Sequence, residues 1–152
     1  MKRLWGALGL VLALSVFMPR VGEAQTSQDG NVRKNGHALG RNYPNPFNPE
    51  TRIPFKVGEG ANCADPSRIY RVSIKIFNIL SNQVAIPVIL GGTSGVAGGQ
   101  PLDKISLPCG DYVAFWDGKI QATGREAASG VYLYRLEVDG VPLLMQKMIV
   151  AK

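Results

Sequence analysis

Val131-Tyr-Leu-Tyr-Arg-Leu-Glu-Val-Asp-Gly-Val-Pro-Leu-Leu-Met-Gln-Lys-Met-Ile-Val150 is a β-hairpin written in sequence. Tyr132, Tyr134, Leu136 and Val138 recur at every second position and so share one face of a strand. Asp139-Gly140 supplies the positive backbone angles of a two-residue hairpin turn, and Val141–Val150 is the return strand. Pro142 falls near its start, where a missing ladder donor is tolerated.

The same period runs back through the chain. Val72, Ile74 and Ile76 alternate with Arg71, Ser73 and Lys75, and this strand is expected to continue through Phe77 to Leu80, with Ser81-Asn82 as its turn. Gln83–Leu90 reads as one further strand and Leu102–Leu107 as a short one. Tyr112, Ala114 and Trp116 point inward, followed by the turn signals Asp117-Gly118 and Gly124. Thr51–Val57 places Ile53, Phe55 and Val57 on one face and Pro54 on the other, which predicts an edge strand. About seven short strands separated by turns, with no helical period of useful length, predict an all-β two-sheet sandwich. Its core would hold Ile53, Ile74, Trp116, Tyr134 and Met148, with the Trp116 indole N–H on a backbone carbonyl.

Composition agrees. The chain has 152 residues, 45% of them apolar, with 18 Gly and 10 Pro, too apolar for a disordered chain and too rich in Gly and Pro for a helical bundle. Residues 1–24 read as a cleaved signal peptide: Lys2 and Arg3, then an uncharged apolar run from Leu4 to Met18, then Gly22-Glu23-Ala24. The run is short of the ~20 residues that span hydrocarbon, and no second run of that length follows, so no transmembrane segment is expected after cleavage. Cleavage removes Lys2, Arg3, Arg20 and Glu23 and lowers the formal charge from +6 to +4. The remaining cations are scattered without interleaved aromatics, so nucleic acid is not expected as a partner.

Residues 25–38 are polar and read as a flexible leader; the folded domain is expected over 39–152. Pro44, Pro46 and Pro49 exclude a helix or central strand from the segment that follows, which should lay the rings of Tyr43 and Phe47 against a domain edge. A carbohydrate-recognition role for those rings is the alternative. Gly91–Pro101, with five glycines, reads as a mobile surface loop without a phosphate-binding pattern. After export an even count of two cysteines favours a Cys63–Cys109 disulfide over free thiols.

Chemistry is sparse. The single histidine, His37, falls in the leader, where nothing would position it as a base. The carboxylates occur singly. Asp117 is expected to accept backbone N–H bonds in its turn, with a calcium ligand as the sharper alternative. The expectation is therefore no enzyme, no catalytic residue, no cofactor and no metal site.

Several motifs carry a family resemblance. Asn42-Tyr43-Pro44-Asn45-Pro46-Phe47-Asn48-Pro49-Glu50-Thr51 resembles the opening signature of the type A C-terminal sorting domain of the type IX secretion system, shared with the immunoglobulin-like domains named after the flagellar hook-capping protein. Val72–Leu80 is similar to the family's central strand, with Ser81 where a glycine is common. Phe115-Trp116-Asp117-Gly118 resembles its tryptophan turn, Ser129-Gly130-Val131-Tyr132 opens its penultimate strand, and Gln146-Lys147-Met148-Ile149-Val150 its end. The resemblance spans residues 39–152, with enlarged loops at 58–68 and 91–103. It implies a seven-stranded immunoglobulin-like sandwich recognised by an outer-membrane secretion translocon and attached at the cell surface. The alternative is a stand-alone exported immunoglobulin-like structural or adhesive protein, held in the periplasm or at the surface. It would bind an envelope component through an edge strand or the Gly91–Gln100 loop, and is motivated by the absence of a cargo domain before residue 39.

Overall fold

The computed structural model describes residues 30–58, 63–91 and 95–152; the expected signal peptide and the first residues of the expected leader lie outside them. The described residues form an all-β, two-sheet fold. Its strands are β1 (Val32–Lys34), β2 (His37–Leu39), β3 (Thr51–Val57), β4 (Ile69–Phe77), β5 (Gln83–Ala85), β6 (Val88–Ile89), β7 (Ile105–Pro108), β8 (Gly110–Trp116), β9 (Gly130–Val138) and β10 (Val141–Val150). The first sheet runs β1-β2-β3-β8-β6. The second runs β10-β9-β4, with β5 and β7 sharing the far side of β4.

The core follows from the alternation. Ile53, Phe55, Val57, Tyr112, Ala114 and Trp116 close one side, and Val72, Ile74, Ile76, Tyr134, Leu136 and Met148 the other, all buried. Burying each large side chain contributes about 1.5–3 kcal/mol. The hairpin turn between β9 and β10 has Asp139 and Gly140 at φ 52° and 78°. A register shift beside Pro142 absorbs its missing donor.

Among the described residues ten strands stand where about seven were expected, and the differences have local causes. Residues 32–38, expected as leader, join Leu39 in an antiparallel hairpin with Val32 opposite Leu39 around the Asn35-Gly36 turn. Gln83–Leu90 is not one strand. β5 pairs with β4 and β6 with β8 in the other sheet, and the chain crosses at Ile86-Pro87, where proline cannot donate to a ladder. The strand expected through Leu80 stops at Phe77. Asn78 Oδ1 accepts the N–H groups of Leu80 and Asn82, each at 3.0 Å, and closes the turn earlier.

Nor is β3 an edge: it lies between β2 and β8. The Pro54 carbonyl accepts from Gly40 N at 2.8 Å, so its donor-less nitrogen faces that same side, just past the end of short β2, and not the β8 ladder. The base of the glycine-rich loop, expected to be mobile, is zipped by Ile89 N to Gln100 O (2.9 Å) and Gly99 N to Ile89 O (2.8 Å). Gly91 and Gly98 permit this: a Cβ on Gly98 would stand 2.5 Å from Gly91 N. Cys63 and Cys109 form the disulfide, which ties the 63–68 loop to the β7–β8 corner.

On the outer face of the second sheet, Glu137 is held between Lys75 (2.7 Å) and Arg135. Burial pushes the carboxyl up, but the two cations outweigh it and hold it below the ordinary range. A carboxyl lowered in the folded state adds stability that is present above its unfolded value, about 4.3, and is lost as pH falls through the folded value. Replacing Glu137 by Gln should therefore lower stability at neutral pH and flatten its decline below about pH 4. Urea unfolding at several pH values checks this. A second expectation concerns Ser81, whose φ is 62°. Ser81→Gly relieves a left-handed residue, which costs roughly 1–2 kcal/mol, at some price in unfolded-state entropy. Its urea midpoint should rise, corresponding to about 0.5–1 kcal/mol.

Candidate functional site

The segment after β2 is where the sequence signature and the tertiary structure meet. Gly40 and Asn42 are buried, and both are held by one side chain from the opposite sheet. The Tyr134 hydroxyl donates to Gly40 O (2.7 Å) and accepts from Asn42 N (3.0 Å). Burial pushes the Tyr134 phenol up, far beyond physiological pH, so it remains a donor. The Asn42 amide donates to Pro44 O and to Thr51 Oγ1, each at 3.0 Å, and closes the segment into a loop. Thr51 Oγ1 donates in turn to Pro44 O at 3.1 Å.

The chain then runs along the outer edge of β10. Phe47 N donates to Ile149 O (3.0 Å), Ala151 N to Phe47 O (3.1 Å), and Ile149 N to the Asn45 side chain (3.0 Å). The peptide bonds before Pro44, Pro46 and Pro49 are all cis. Phe47 is the buried ring of the segment and meets Trp116 edge-on at 5.5 Å; Trp116 meets Tyr132 at 5.7 Å. Tyr43 does not share that burial and is about half exposed. A carbohydrate-stacking pair of Tyr43 and Phe47 is thereby excluded, since Phe47 is inside the core.

The other signature residues join the same end of the two-sheet fold. The Trp116 indole donates to Lys119 O at 3.0 Å, and Asp117 Oδ1 accepts from Lys119 N at 3.0 Å, as their positions in the sequence suggested. Gly118 is required by close approach: a Cβ there would stand 2.0 Å from the Pro49 carbonyl oxygen. Ser129 Oγ accepts from Lys152 N at 3.1 Å, beside the Lys152–Glu126 ion pair. Gly130 begins β9 opposite Val150, and Met148 pairs with Tyr132 and is fully buried. Pro44, Asn45, Pro46, Asn48 and Pro49 are exposed. The disulfide lies at the opposite end of β8.

The accessible side chains near this end lie on the outer face of β9 and β10. Val131 pairs with Ile149, Leu133 with Lys147 and Arg135 with Met145. Val131, Met145 and Ile149 are exposed, and Lys147 stands between the last two with no carboxylate partner among the described residues. Ile79 and Leu80, over 70% exposed, cap the neighbouring β4–β5 turn.

His37 was expected in a leader and is instead buried; Gly58 N donates to its Nδ1 at 3.2 Å, and its ring lies edge-on to Tyr70 at 5.3 Å. The signal that could have placed it is Asn35-Gly36, a hairpin dipeptide between Val32 and Leu39. Among the described residues, no three His, Cys, Asp or Glu side chains come together as a metal site, and no helix is long and apolar enough to cross a membrane. Comparison of the chain with family models, with curated proteins and with solved structures finds no match.

Tyr134→Phe leaves Gly40 O and Asn42 N without their buried partner. The cost should be about 1–3 kcal/mol in chemical denaturation. Tyr132→Phe, which removes a donor to Ala128 O at a part-buried position, should cost less.

Proposed function

We propose that this chain is a non-enzymatic secretion-targeting and cell-surface-attachment module. On this reading its immunoglobulin-like sandwich is exported after removal of residues 1–24 and recognised by an outer-membrane translocon. The observation that carries the reading is the convergence of the signature residues. Asn42–Pro49, Trp116-Asp117-Gly118, Ser129-Gly130, Tyr132 and Met148 are distant in sequence yet meet at one end of the sandwich. The last strand, β10, ends there beside an accessible apolar strip centred on Lys147.

The division of labour follows from burial. Phe47, Trp116, Tyr132 and Met148 hold the end rigid, whereas Lys147, Ile149 and Val131 are available to a partner. A partner surface that covers the strip gains apolar burial, and a carboxylate facing Lys147 would fix its orientation. A module of this kind needs no nucleophile, metal or cofactor.

Truncation is a poor test, because removing Lys147–Lys152 takes away Met148 and Val150, both buried. Surface substitutions separate recognition from folding. Lys147→Glu combined with Ile149→Thr should leave the far-ultraviolet spectrum and urea midpoint near those of the parent. In the native host the variant should accumulate in the periplasm, while the parent reaches the surface or medium. A well-folded variant that is exported as efficiently as the parent would refute translocon recognition by this strip.

A further inference from the structure

The turn between β4 and β5 presents two aliphatic side chains that the core does not use. Ile79 and Leu80 are 72% and 74% exposed, more than any other large apolar residue described. The backbone of this turn is closed on itself. Asn78 Oδ1 accepts from Leu80 N and Asn82 N, each at 3.0 Å. Asn78 O accepts from Ser81 N and Asn82 O from Asn78 N, both at 3.0 Å. The amides of Asn78, Leu80, Ser81 and Asn82 therefore keep their partners in any medium, and add little to the cost of taking the turn out of water.

Phe77 pairs with Leu133 in the last β4–β9 pair, so the turn leaves the sheet at the end where Val131 pairs with Ile149. Both of those residues are exposed. Lys147, opposite Leu133, stands two residues back from Ile149, ~7 Å along the strand. It has no carboxylate partner among the described residues. Of the carboxylates at this end, Asp117 and Glu126 are paired with Lys119 and Lys152, and Glu50 precedes β3, in the other sheet.

We propose that Ile79 and Leu80 insert into the surface of an anionic phospholipid bilayer. With its amides closed, the turn offers a partner little directional backbone contact and two aliphatic chains. A stable protein interface buries about 800 Å² per partner and is enriched in aromatic and arginine anchors, which this turn does not supply. Fluid hydrocarbon asks for neither. Once both chains reach the acyl region, Lys147 falls in the headgroup layer, roughly 5–7 Å deep on each face, and its free charge selects anionic lipid. The bilayer is a partner beyond the translocon, and binding to it requires no translocon.

The test is co-sedimentation of the chain lacking residues 1–24, whose own apolar run would bind lipid, with two kinds of vesicle. One is phosphatidylcholine alone and the other holds about equal parts of phosphatidylglycerol. The parent should partition onto the mixed vesicles severalfold more strongly than onto phosphatidylcholine. Ile79→Ser with Leu80→Ser should weaken partition by about tenfold or more. Lys147→Gln should weaken it by about fivefold on the mixed vesicles alone. Ile69→Ser, an exposed position at the other end of β4, should change nothing. Urea midpoints report whether the variants are folded. A lipid-soluble spin label gives a second readout on the parent: the amides of residues 78–82 should broaden first. Absence of partition by the parent, equal partition onto both vesicles, undiminished partition by the folded double variant, or broadening centred elsewhere would overturn the proposal. Self-association without vesicle binding, abolished by the same double substitution, would assign the turn to a second copy and also overturn it. Vesicles hold no translocon, so each result is read independently of the sorting role.

Discussion

A single phenol holds the two sheets in register at the point where the first sheet ends. Tyr134 projects from β9 through the core and bonds both Gly40 O and Asn42 N, the backbone groups that leave β2. Those groups are buried, and a buried amide or carbonyl without a partner is costly. Once they are held, the chain can turn along β10, seat Phe47 on Trp116 and place Pro49 over Gly118. This arrangement also answers the edge problem. β10 would present unpaired N–H and C=O groups to any passing strand, and Phe47 and Asn45 occupy that edge beside Ile149 and Ala151. At the middle of β10 the Gln146 amide reaches across to Leu39 O and Gly30 O, so the hairpin of β1 and β2 is tied to the same strand.

Legibility in the sequence followed how local the determinants were. The β9–β10 hairpin needed only period-two alternation and Asp139-Gly140, and both are visible in twenty residues. Trp116 and Asp117 found partners within three residues, so their roles could be read from the turn alone. Residues 32–38 were misread because their pattern is short and one inward position is His37, whose burial depends on Gly58 and Tyr70 far along the chain. The side of Pro54 was legible, but its neighbour was not. That depended on where β2 stops, a tertiary fact. Likewise Pro87 falls out of phase with Val84, Ile86 and Val88 in the sequence, yet only the sheet assignments of β5 and β6 show that the chain changes layers there.

For the candidate site, the motifs are readable in the sequence, but their division into buried and accessible groups is not. Tyr43 and Phe47 looked equivalent, and the structure separates them, one about half exposed and one packed on Trp116. A signature dense in proline and asparagine thus acts first through packing and backbone satisfaction. What it leaves outward, beside Lys147, is small.

The central claim is that the lead-in segment is an integral part of the fold and not a strap laid on it. Native-state amide hydrogen exchange measures this directly. The amides of Asn42, Phe47 and Ala151, bonded to Tyr134 Oη, Ile149 O and Phe47 O, should exchange only through global unfolding, with the same free energy as the amides of central β9. Exchange of these three through local opening, at free energies well below that of β9, would contradict the account.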